Sequence, residues 1–325
     1  VLGLAFVLGG RRWVLSASTV ALLGLAGLAW QQVQPRLPCT TETNYFCIKV
    51  REEDRDDETV RLLILDRLVH SYTSLDNPTR LVYDYEKIYA EVTAYRALDH
   101  DNLRALFIGG GGYTFPRYME ALYPSSDLHV IEIDPGVTQV AHDYLGLSRD
   151  TGIVTYNMDA RLYLQGEPTQ QFDLILGDAF NDYSVPHHLT TREFNDRVRA
   201  WLAADGLYMV NIIDGAGGAF LRAYTHTLRQ TFPYVYVVPS SPFWRASPRM
   251  TFVLIGAPVP LDLQAFEGID AGDDEPHLSR RILAQDEVDE ILKSGRVVLL
   301  TDRYAPVDQM LAPVVRNDLP KESAQ

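Results

Sequence analysis

The sequence predicts an α/β protein: a mostly parallel, doubly wound sheet that follows a small β-hairpin unit and a membrane helix. From Leu103 onward, short apolar runs alternate with helical segments, which indicates a parallel sheet covered by helices. Before this region, two β-rich segments flank a charged run, as expected of a hairpin. The first thirty residues contain only two charges, a pattern typical of membrane segments.

The composition excludes several classes of protein. A length of 325 residues fits two units, or one large α/β unit with an appendage. The 43 acidic and 29 basic side chains give a net charge of −14, which would repel nucleic acid. A hydrophobic share of 46% can form a large core, and two cysteines cannot make a disulfide scaffold.

The first predicted region, residues 1–34, holds the end of one membrane helix and one full span. The stretch 13–30 has no charge and would extend about 27 Å at 1.5 Å per residue, enough to cross a hydrocarbon layer. Trp13 and Trp30 stand at its ends, where indole rings favour the headgroup level. The alternatives are a buried core helix or a signal peptide. We expect the chain to be the later part of a longer membrane protein.

The second region, 35–100, contains a linker, the hairpin and a helix. The β-rich segments 45–50 and 60–66 flank the run REEDRDDET, which we interpret as a solvated loop. The pattern after Tyr83 predicts a helix as far as Leu98.

The third region, 101–257, carries the predicted sheet, and 258–325 is a C-terminal extension. The candidate strands are LRALFIGGG, LHVIEID, GIVTYNMD, FDLILGD, GLYMVNII, YVYVV and MTFVLIG. Helices are predicted near 116–123, 136–145, 191–203, 219–230 and 285–293. Ligands of such sheets bind beyond the carboxyl ends of the strands, and the motifs below lie at these ends.

The first motif is a glycine turn followed by an acidic strand end. Gly109, Gly110 and Gly111 follow an apolar strand and would let the backbone approach a ligand. Glu132 ends the next strand, 23 positions after Gly109, where a carboxylate can accept both hydroxyls of a ribose. A structural turn and a surface charge are the alternatives.

The next two strand ends are also acidic. Asp159 follows the third strand, where an adenine amino group would need an acceptor. Asp178 leaves the fourth strand, and Asp182 follows four positions later. Asp178 could simply cap a helix, but two carboxylates in a loop beside a nucleoside pocket favour a function.

Taken in order, these motifs resemble the polyamine aminopropyltransferases, the spermidine synthase family. The resemblance covers about 42–257 and includes the segments ETNYFCIKV, LLILDRLVHS, YDYEKIYAEV and GDAFNDYSVPHHLTTREF. It implies a methyltransferase-type Rossmann-like sheet after a small β-hairpin domain. The apolar start and the segment LTDRYAPVD are most similar to membrane-fused bacterial spermidine synthase-like proteins.

The resemblance also implies roles for single residues. Gly109 to Gly111 would lie beside the nucleoside of decarboxylated S-adenosylmethionine, Glu132 on its ribose, and Asp159 with Ala160 at its adenine. Asp178 would hold the acceptor amine and take its proton before the nitrogen attacks the methylene next to sulfur. Tyr89 aligns with a tyrosine that lines the acceptor site, and Asp182, one position later than the family's second loop aspartate, could supply a second anionic anchor. His70 stands where the family usually has a glutamine, and it, or His188, could hydrogen-bond the acceptor.

Three departures from the family concern the substrates. Gly112 stands where the family has an aspartate that contacts the donor's amine, so ordinary S-adenosylmethionine would not be rejected by charge. Phe46 replaces a usual glutamine. Arg245 and Arg249 are poorly suited to a cationic acceptor.

We therefore expect a membrane-anchored transferase that moves an aminopropyl group to a polyamine such as putrescine. The alternatives are an S-adenosylmethionine-dependent methyltransferase, and a silent nucleoside- or polyamine-sensing domain of a transporter. No metal is assigned, because the adjacent histidines 187 and 188 lack further ligands at a familiar spacing. The sequence leaves open whether the chain forms a homo-oligomer.

The expected location is the cell membrane, with the folded domain on the cytoplasmic side, where the donor is made. Arg11 and Arg12 favour the opposite orientation by the positive-inside rule. Cys39 and Cys47 could then form a disulfide, and the sequence does not decide between these two orientations.

Overall fold

The computed structural model describes residues 38–56, 58–180, 185–215, 218–269 and 278–318. The predicted membrane segment and Asp182 lie outside these ranges. Among the residues inside them, no helix has both the length and the apolar character that crossing a membrane requires. The chain's two cysteines, Cys39 and Cys47, are both disulfide-bonded.

The N-terminal unit is a four-stranded antiparallel sheet rather than an isolated hairpin. Its strands are β1 (Thr41–Glu42), β2 (Cys47–Arg55), β3 (Glu58–Leu65) and β4 (Leu68–Ser74), paired in that order. Strand β4 was not predicted, because the short turn after Leu65 contains no glycine or proline. The additional strand supplies one wall of the site described below.

The charged run 51–59 is mostly strand, so its interpretation as a loop was wrong. Strand β2 continues to Arg55 and pairs in register with β3, with Glu52 opposite Arg61. Their side chains form an ion pair at 3.0 Å. Charged residues are compatible with a strand when both faces are exposed and opposite charges face each other.

Helix α1 (Asp84–Ala97) follows this sheet, close to its predicted bounds. Ile88 and Val92 lie one turn apart and are fully buried. They pack in the same core cluster as the first strands of the second sheet. The helix therefore bridges the N-terminal sheet and the larger sheet.

The larger sheet has seven strands, each at a predicted position. They are β5 (Arg104–Ile108), β6 (Asp127–Glu132), β7 (Val154–Asn157), β8 (Phe172–Gly177), β9 (Leu202–Asp214), β10 (Tyr234–Pro239) and β11 (Met250–Ala257). The order is β10-β11-β9-β8-β5-β6-β7, and β11 runs in the direction opposite to the other strands of this sheet. This confirms the predicted α/β class with a Rossmann-like doubly wound sheet.

Helices connect the strands and cover both faces of the sheet. They are α2 (Thr114–Leu122), α3 (Pro135–Tyr144), α4 (Ala160–Tyr163), α5 (Arg192–Trp201), α6 (Ala219–Leu228), α7 (Leu278–Arg281), α8 (Gln285–Lys293) and α9 (Val307–Asp318). Three of these helices were not predicted: α4 and α7, which are single turns, and α9, which contains Pro313.

Alternate residues of β5 lie in two different core clusters. Ala105 and Phe107 pack in the cluster that includes α1 and α2, whereas Leu106 and Ile108 pack in the one that includes α5 and α6. Side chains alternate between the faces of a strand, so both faces of this sheet are buried. Polar side chains can therefore concentrate at the strand ends.

Candidate active site

A glycine turn closes the end of β5. Gly109 has a φ of +99°, and a Cβ there would lie 2.7 Å from the carbonyl oxygen of Asp178. Gly111 also has a positive φ, +48°. A residue with a side chain would be strained at both positions, and at Gly109 it would also collide with the end of β8. The turn thus brings the ends of β5 and β8 together.

Glu132, at the end of β6, orders this turn. It is 6% exposed. Its Oε2 accepts a hydrogen bond from Gly110 N at 2.8 Å, and its Oε1 accepts one from Asp134 N at 2.9 Å. Burial raises the pKa of this carboxyl, and the backbone N–H groups partly offset that rise. Asp134 itself caps α3 through Gly136 N at 2.8 Å.

Asp159 follows β7 by two residues and caps the short helix α4. Its Oδ1 accepts from Arg161 N at 2.7 Å, and its Oδ2 lies 3.0 Å from His188 Nε2. Ala160 is the first residue of α4 and is buried. The predicted adenine-side residues therefore lie together, and His188 contacts them.

The segment LTDRYAPVD, residues 300–308, contacts the residues that hold Asp159 and His188 in place. Asp302 accepts from Thr191 Oγ1 at 2.7 Å and forms an ion pair with Arg161. Arg161 also donates to the carbonyl oxygen of His188 at 2.6 Å. A segment remote in sequence thus fixes the position of the His188 backbone.

These strand ends line a first cavity, which we call the strand-tip cavity. It contains about 870 Å³ of empty space, counting the part open to solvent. Apolar side chains form most of its wall. Of the predicted site residues it is lined by Gly109, Gly111, Glu132, Asp159, Ala160, Asp178 and His70.

Asp178 is half-buried at the end of β8, where two neutral side chains hold it. Tyr85 donates its hydroxyl hydrogen to Oδ2 at 2.9 Å, and Asn211 Nδ2 donates to Oδ1 at 2.8 Å. Burial raises the pKa of Asp178 to about 7, although both hydrogen bonds lower it. A carboxyl with this pKa can exchange a proton near neutral pH.

A second cavity lies on the other side of Asp178, against α1. We call it the helix-side cavity, and it contains about 830 Å³ of empty space, again including the open part. Its polar lining includes Glu86, Tyr89, Asn211 and Arg249. Both cavities share His70, Gly109, Gly111, Asp178 and Phe180. They therefore meet at Asp178.

Gly112 lies in the helix-side cavity against β4. A Cβ at this position would be 2.0 Å from Ser71 Oγ and 3.1 Å from Thr73 Oγ1. The space that a side chain would take is occupied by Ser71. The wall here is neutral, as the sequence predicts.

Three residues of the site were not predicted from the sequence: Tyr85, Glu86 and Asn211. Tyr85 lies four positions before Tyr89 and shares its helix face, which was a usable signal. Asn211 interrupts the apolar run of β9, and a polar residue in a buried strand requires partners. Glu86 gave no such signal, because its spacing from the apolar residues of α1 also fits an exposed position.

The described residues contain no group of three or more histidine, cysteine or acidic side chains arranged to hold a metal ion. His187 and His188 face each other edge to face at 5.7 Å. His188 contacts Asp159, as described above.

Two relatives are similar in sequence to part of this chain. A polyamine aminopropyltransferase of Vibrio vulnificus (strain CMCP6) is 38% identical over 138 residues, 41% of this chain and 44% of that protein. A probable polyamine aminopropyl transferase of Bifidobacterium longum (strain NCC 2705) is 26% identical over 221 residues, 67% of this chain and 47% of that protein. This chain is thus similar in sequence to proteins named polyamine aminopropyltransferases, which are transferases. The similarity confirms the predicted resemblance to that family, whereas the resemblance to membrane-fused members stays a prediction. The chain spans about half the length of each.

Solved structures show the same fold. A probable spermidine synthase from Corynebacterium glutamicum has a TM-score of 0.70 and 21% identity, covering 82% of this chain and 97% of that one. A spermidine synthase in complex with the transition state analogue AdoDATO has a TM-score of 0.53 and 15% identity, covering 82% and 99%. No protein-family model matches the chain.

A second group of relatives carries the name of a different reaction. The eEF1A lysine and N-terminal methyltransferase of Mus musculus is 26% identical over 120 residues, 34% of this chain and 17% of that protein. The similarity to aminopropyltransferases is therefore accompanied by a shorter similarity to methyltransferases.

Proposed function

We propose that the chain transfers an aminopropyl group from decarboxylated S-adenosylmethionine to a polyamine such as putrescine. The observation that carries this proposal is the position of Asp178 where the two cavities meet. In one cavity, carboxylates at the strand ends can accept hydrogen bonds from a nucleoside. In the other, buried oxygens can accept hydrogen bonds from an amine. A donor and an acceptor bound in them would have their reacting atoms at Asp178.

The strand-tip cavity has the chemistry to hold the adenosyl group. Glu132 can accept the ribose hydroxyls with the lone pairs that its two backbone partners leave free, and Asp159 with Ala160 lies where adenine would end. Apolar side chains such as Ile131 and Met158 line the space for the purine. The sulfonium carbon would then face Asp178.

Asp178 would act as the general base. Its carboxylate accepts a hydrogen bond from the acceptor ammonium and takes one proton, which leaves a lone pair on nitrogen. This nitrogen forms a bond to the methylene next to sulfur, the carbon–sulfur bond breaks, and its electron pair stays on sulfur. The products are the lengthened amine and methylthioadenosine, a neutral thioether. Tyr85 and Asn211 hold the carboxylate in place throughout.

Gly112 favours a second candidate, a methyltransferase that uses ordinary S-adenosylmethionine. No carboxylate stands at this position to select a donor without its own carboxylate, and Ser71 fills the space. Methyl transfer would leave S-adenosylhomocysteine instead of methylthioadenosine.

The test is to offer both donors with putrescine to the purified chain and identify the products. Methylthioadenosine with spermidine supports the proposal, and S-adenosylhomocysteine with a methylated amine replaces it by the methyltransferase. Binding of either donor without turnover across a panel of polyamines would indicate a sensing domain instead.

Membrane attachment through 13–30 is also part of the proposal, with the folded domain on the cytoplasmic side. The supply of donor supports that side, whereas the disulfide-bonded cysteines and Arg11–Arg12 support the opposite one. Protease treatment of intact spheroplasts distinguishes them: protection of the domain supports the cytoplasmic side, and cleavage contradicts it.

A further inference from the structure

Glu86 is a buried carboxyl for which the proposed mechanism has no use. It lies in the first turn of α1, is 3% exposed and lines the helix-side cavity together with Asp178. Its Oε2 has no hydrogen-bond partner among the described residues. A buried acidic oxygen without a partner is costly, which points to a ligand that supplies one.

The charge around Glu86 also fits a cationic ligand. Burial raises the pKa of Glu86 to about 8, and the charge of Asp178 contributes to that rise, while a hydrogen bond from the backbone of Tyr83 lowers it. A cation bound at these carboxyls would favour the ionised form of Glu86. Its charge compensates the loss of hydration and weakens the repulsion between Glu86 and Asp178.

Asn211 provides a second buried oxygen on the same cavity. Its Nδ2 is used by Asp178, and its Oδ1 has no partner within the described ranges. Carboxylate and amide oxygens only accept hydrogen bonds. The complementary group has several N–H donors and no acceptor, which describes an ammonium.

We propose that Glu86 binds the second, non-reacting ammonium of a diamine whose reacting nitrogen lies between Asp178 and Asn211. This inference rests on the proposed function and specifies its acceptor class as an amine with two cationic ends. Glu86 is then a specificity-determining residue that reads the far end of the acceptor.

The remaining titratable side chains of the cavity limit where the cation can lie. They are His70, Tyr83, Tyr85, Tyr89 and Arg249. Burial raises the pKa of Tyr85 and of Tyr89 well above the ordinary value, so both stay neutral. Arg249 carries positive charge and disfavours an ammonium near it. The two carboxyls are thus the favourable positions for the two ammonium groups.

The test compares putrescine with butylamine, which has the same four-carbon chain but a single amine. In the wild-type chain, kcat/KM should be much higher for putrescine. Glu86→Gln should lower that preference about ten- to hundredfold, the scale of a charge-assisted hydrogen bond, mainly through the KM for putrescine. Butylamine kinetics should change less than about threefold.

Glu91→Gln is the matched control. Glu91 is also buried on α1, but its Oε1 accepts from Leu278 N at 2.6 Å and it does not line the cavity. Glutamine can keep that bond, so the preference should stay at the wild-type value. An equal loss for both amines in Glu86→Gln would show a structural role and overturn the inference, as would an unchanged preference.

Two further measurements keep the test decisive. If Glu86→Gln does not fold, Glu86→Asp keeps the charge one methylene further back and should move the preference towards cadaverine. If the wild-type chain shows no transfer, the proposed function fails on its own. The inference is then tested by calorimetry, where equal affinity for putrescine and butylamine would overturn it.

Discussion

The two cavities use their carboxyl groups differently. In the strand-tip cavity, both carboxylates accept hydrogen bonds from the protein's own backbone. Glu132 accepts from Gly110 N, and Asp159 accepts from Arg161 N. Asp178, which lines both cavities, accepts from the neutral side chains of Tyr85 and Asn211. Glu86, in the helix-side cavity, keeps an oxygen without a partner among the described residues. The first two carboxylates shape the backbone around the proposed nucleoside site, whereas Asp178 and Glu86 remain open to protons and cations.

The carboxyl groups of the two cavities also differ in what sets their pKa values. Burial raises the pKa of Asp178 to about 7 and that of Glu86 to about 8. Burial also raises the pKa of Glu132, but several backbone N–H bonds partly offset that rise. We therefore expect substitutions in the helix-side cavity to change turnover and pH dependence, and those in the strand-tip cavity to change donor affinity.

The largest expected effect is that of Asp178→Asn. Removing the proton acceptor should lower kcat by about a hundredfold or more. Donor affinity should stay within about threefold, because the strand-tip cavity keeps its other contacts. Product formation and donor calorimetry measure the two quantities. Unchanged turnover would remove the role assigned to Asp178.

Glu132→Gln should lower donor affinity more than turnover, the reverse of Asp178→Asn. The glutamine amide keeps only one of the two acceptor oxygens that bond Gly110 N and Asp134 N, so the glycine turn loses a support. Donor affinity should fall about ten- to hundredfold, the scale of a charge-assisted bond plus a buried unpaired group. A normal donor affinity with lower kcat would erase the distinction between the cavities.

Tyr85→Phe should change the pH dependence of turnover rather than donor affinity. The Tyr85 hydroxyl stabilises the ionised form of Asp178, so its removal should raise the pKa of Asp178 above about 7. The base must be deprotonated, so kcat/KM at pH 7 should fall about three- to tenfold and recover at higher pH. A loss of equal size at every pH would show a packing effect.

The smallest expected effect concerns stability. The pKa of Glu86 is raised from 4.5 to about 8 in the folded chain, so ionised Glu86 destabilises the fold. That destabilisation is absent below about pH 4.5, grows as pH rises, and is complete above about pH 8. Glu86→Gln should therefore be more stable than wild type at pH 9, by about 1 kcal/mol or more, and similar at pH 4. Denaturant unfolding at both pH values measures this, and a variant less stable at pH 9 contradicts it.

The sequence predicted the larger sheet well because each strand is an apolar run bounded by turn residues. Its acidic strand ends could be located for the same reason, since a carboxylate directly after a buried strand contrasts sharply with the apolar residues before it. The site residues on α1 and β9 were harder. Glu86 belongs to the site only because α1 packs near the strand ends of β8 and β9, a tertiary contact that no local pattern records. Asn211 gave a weak local signal, as a polar residue in the apolar run of β9. The charged ends of β2 and β3 were interpreted as a loop because cross-strand pairing, not apolarity, stabilises them.

The most direct measurement is a crystal structure of the chain with methylthioadenosine and putrescine. The account predicts the nucleoside in the strand-tip cavity with its ribose on Glu132, and one amine nitrogen within hydrogen-bond distance of Asp178. A nucleoside bound elsewhere, or an amine bound away from Asp178, would contradict it.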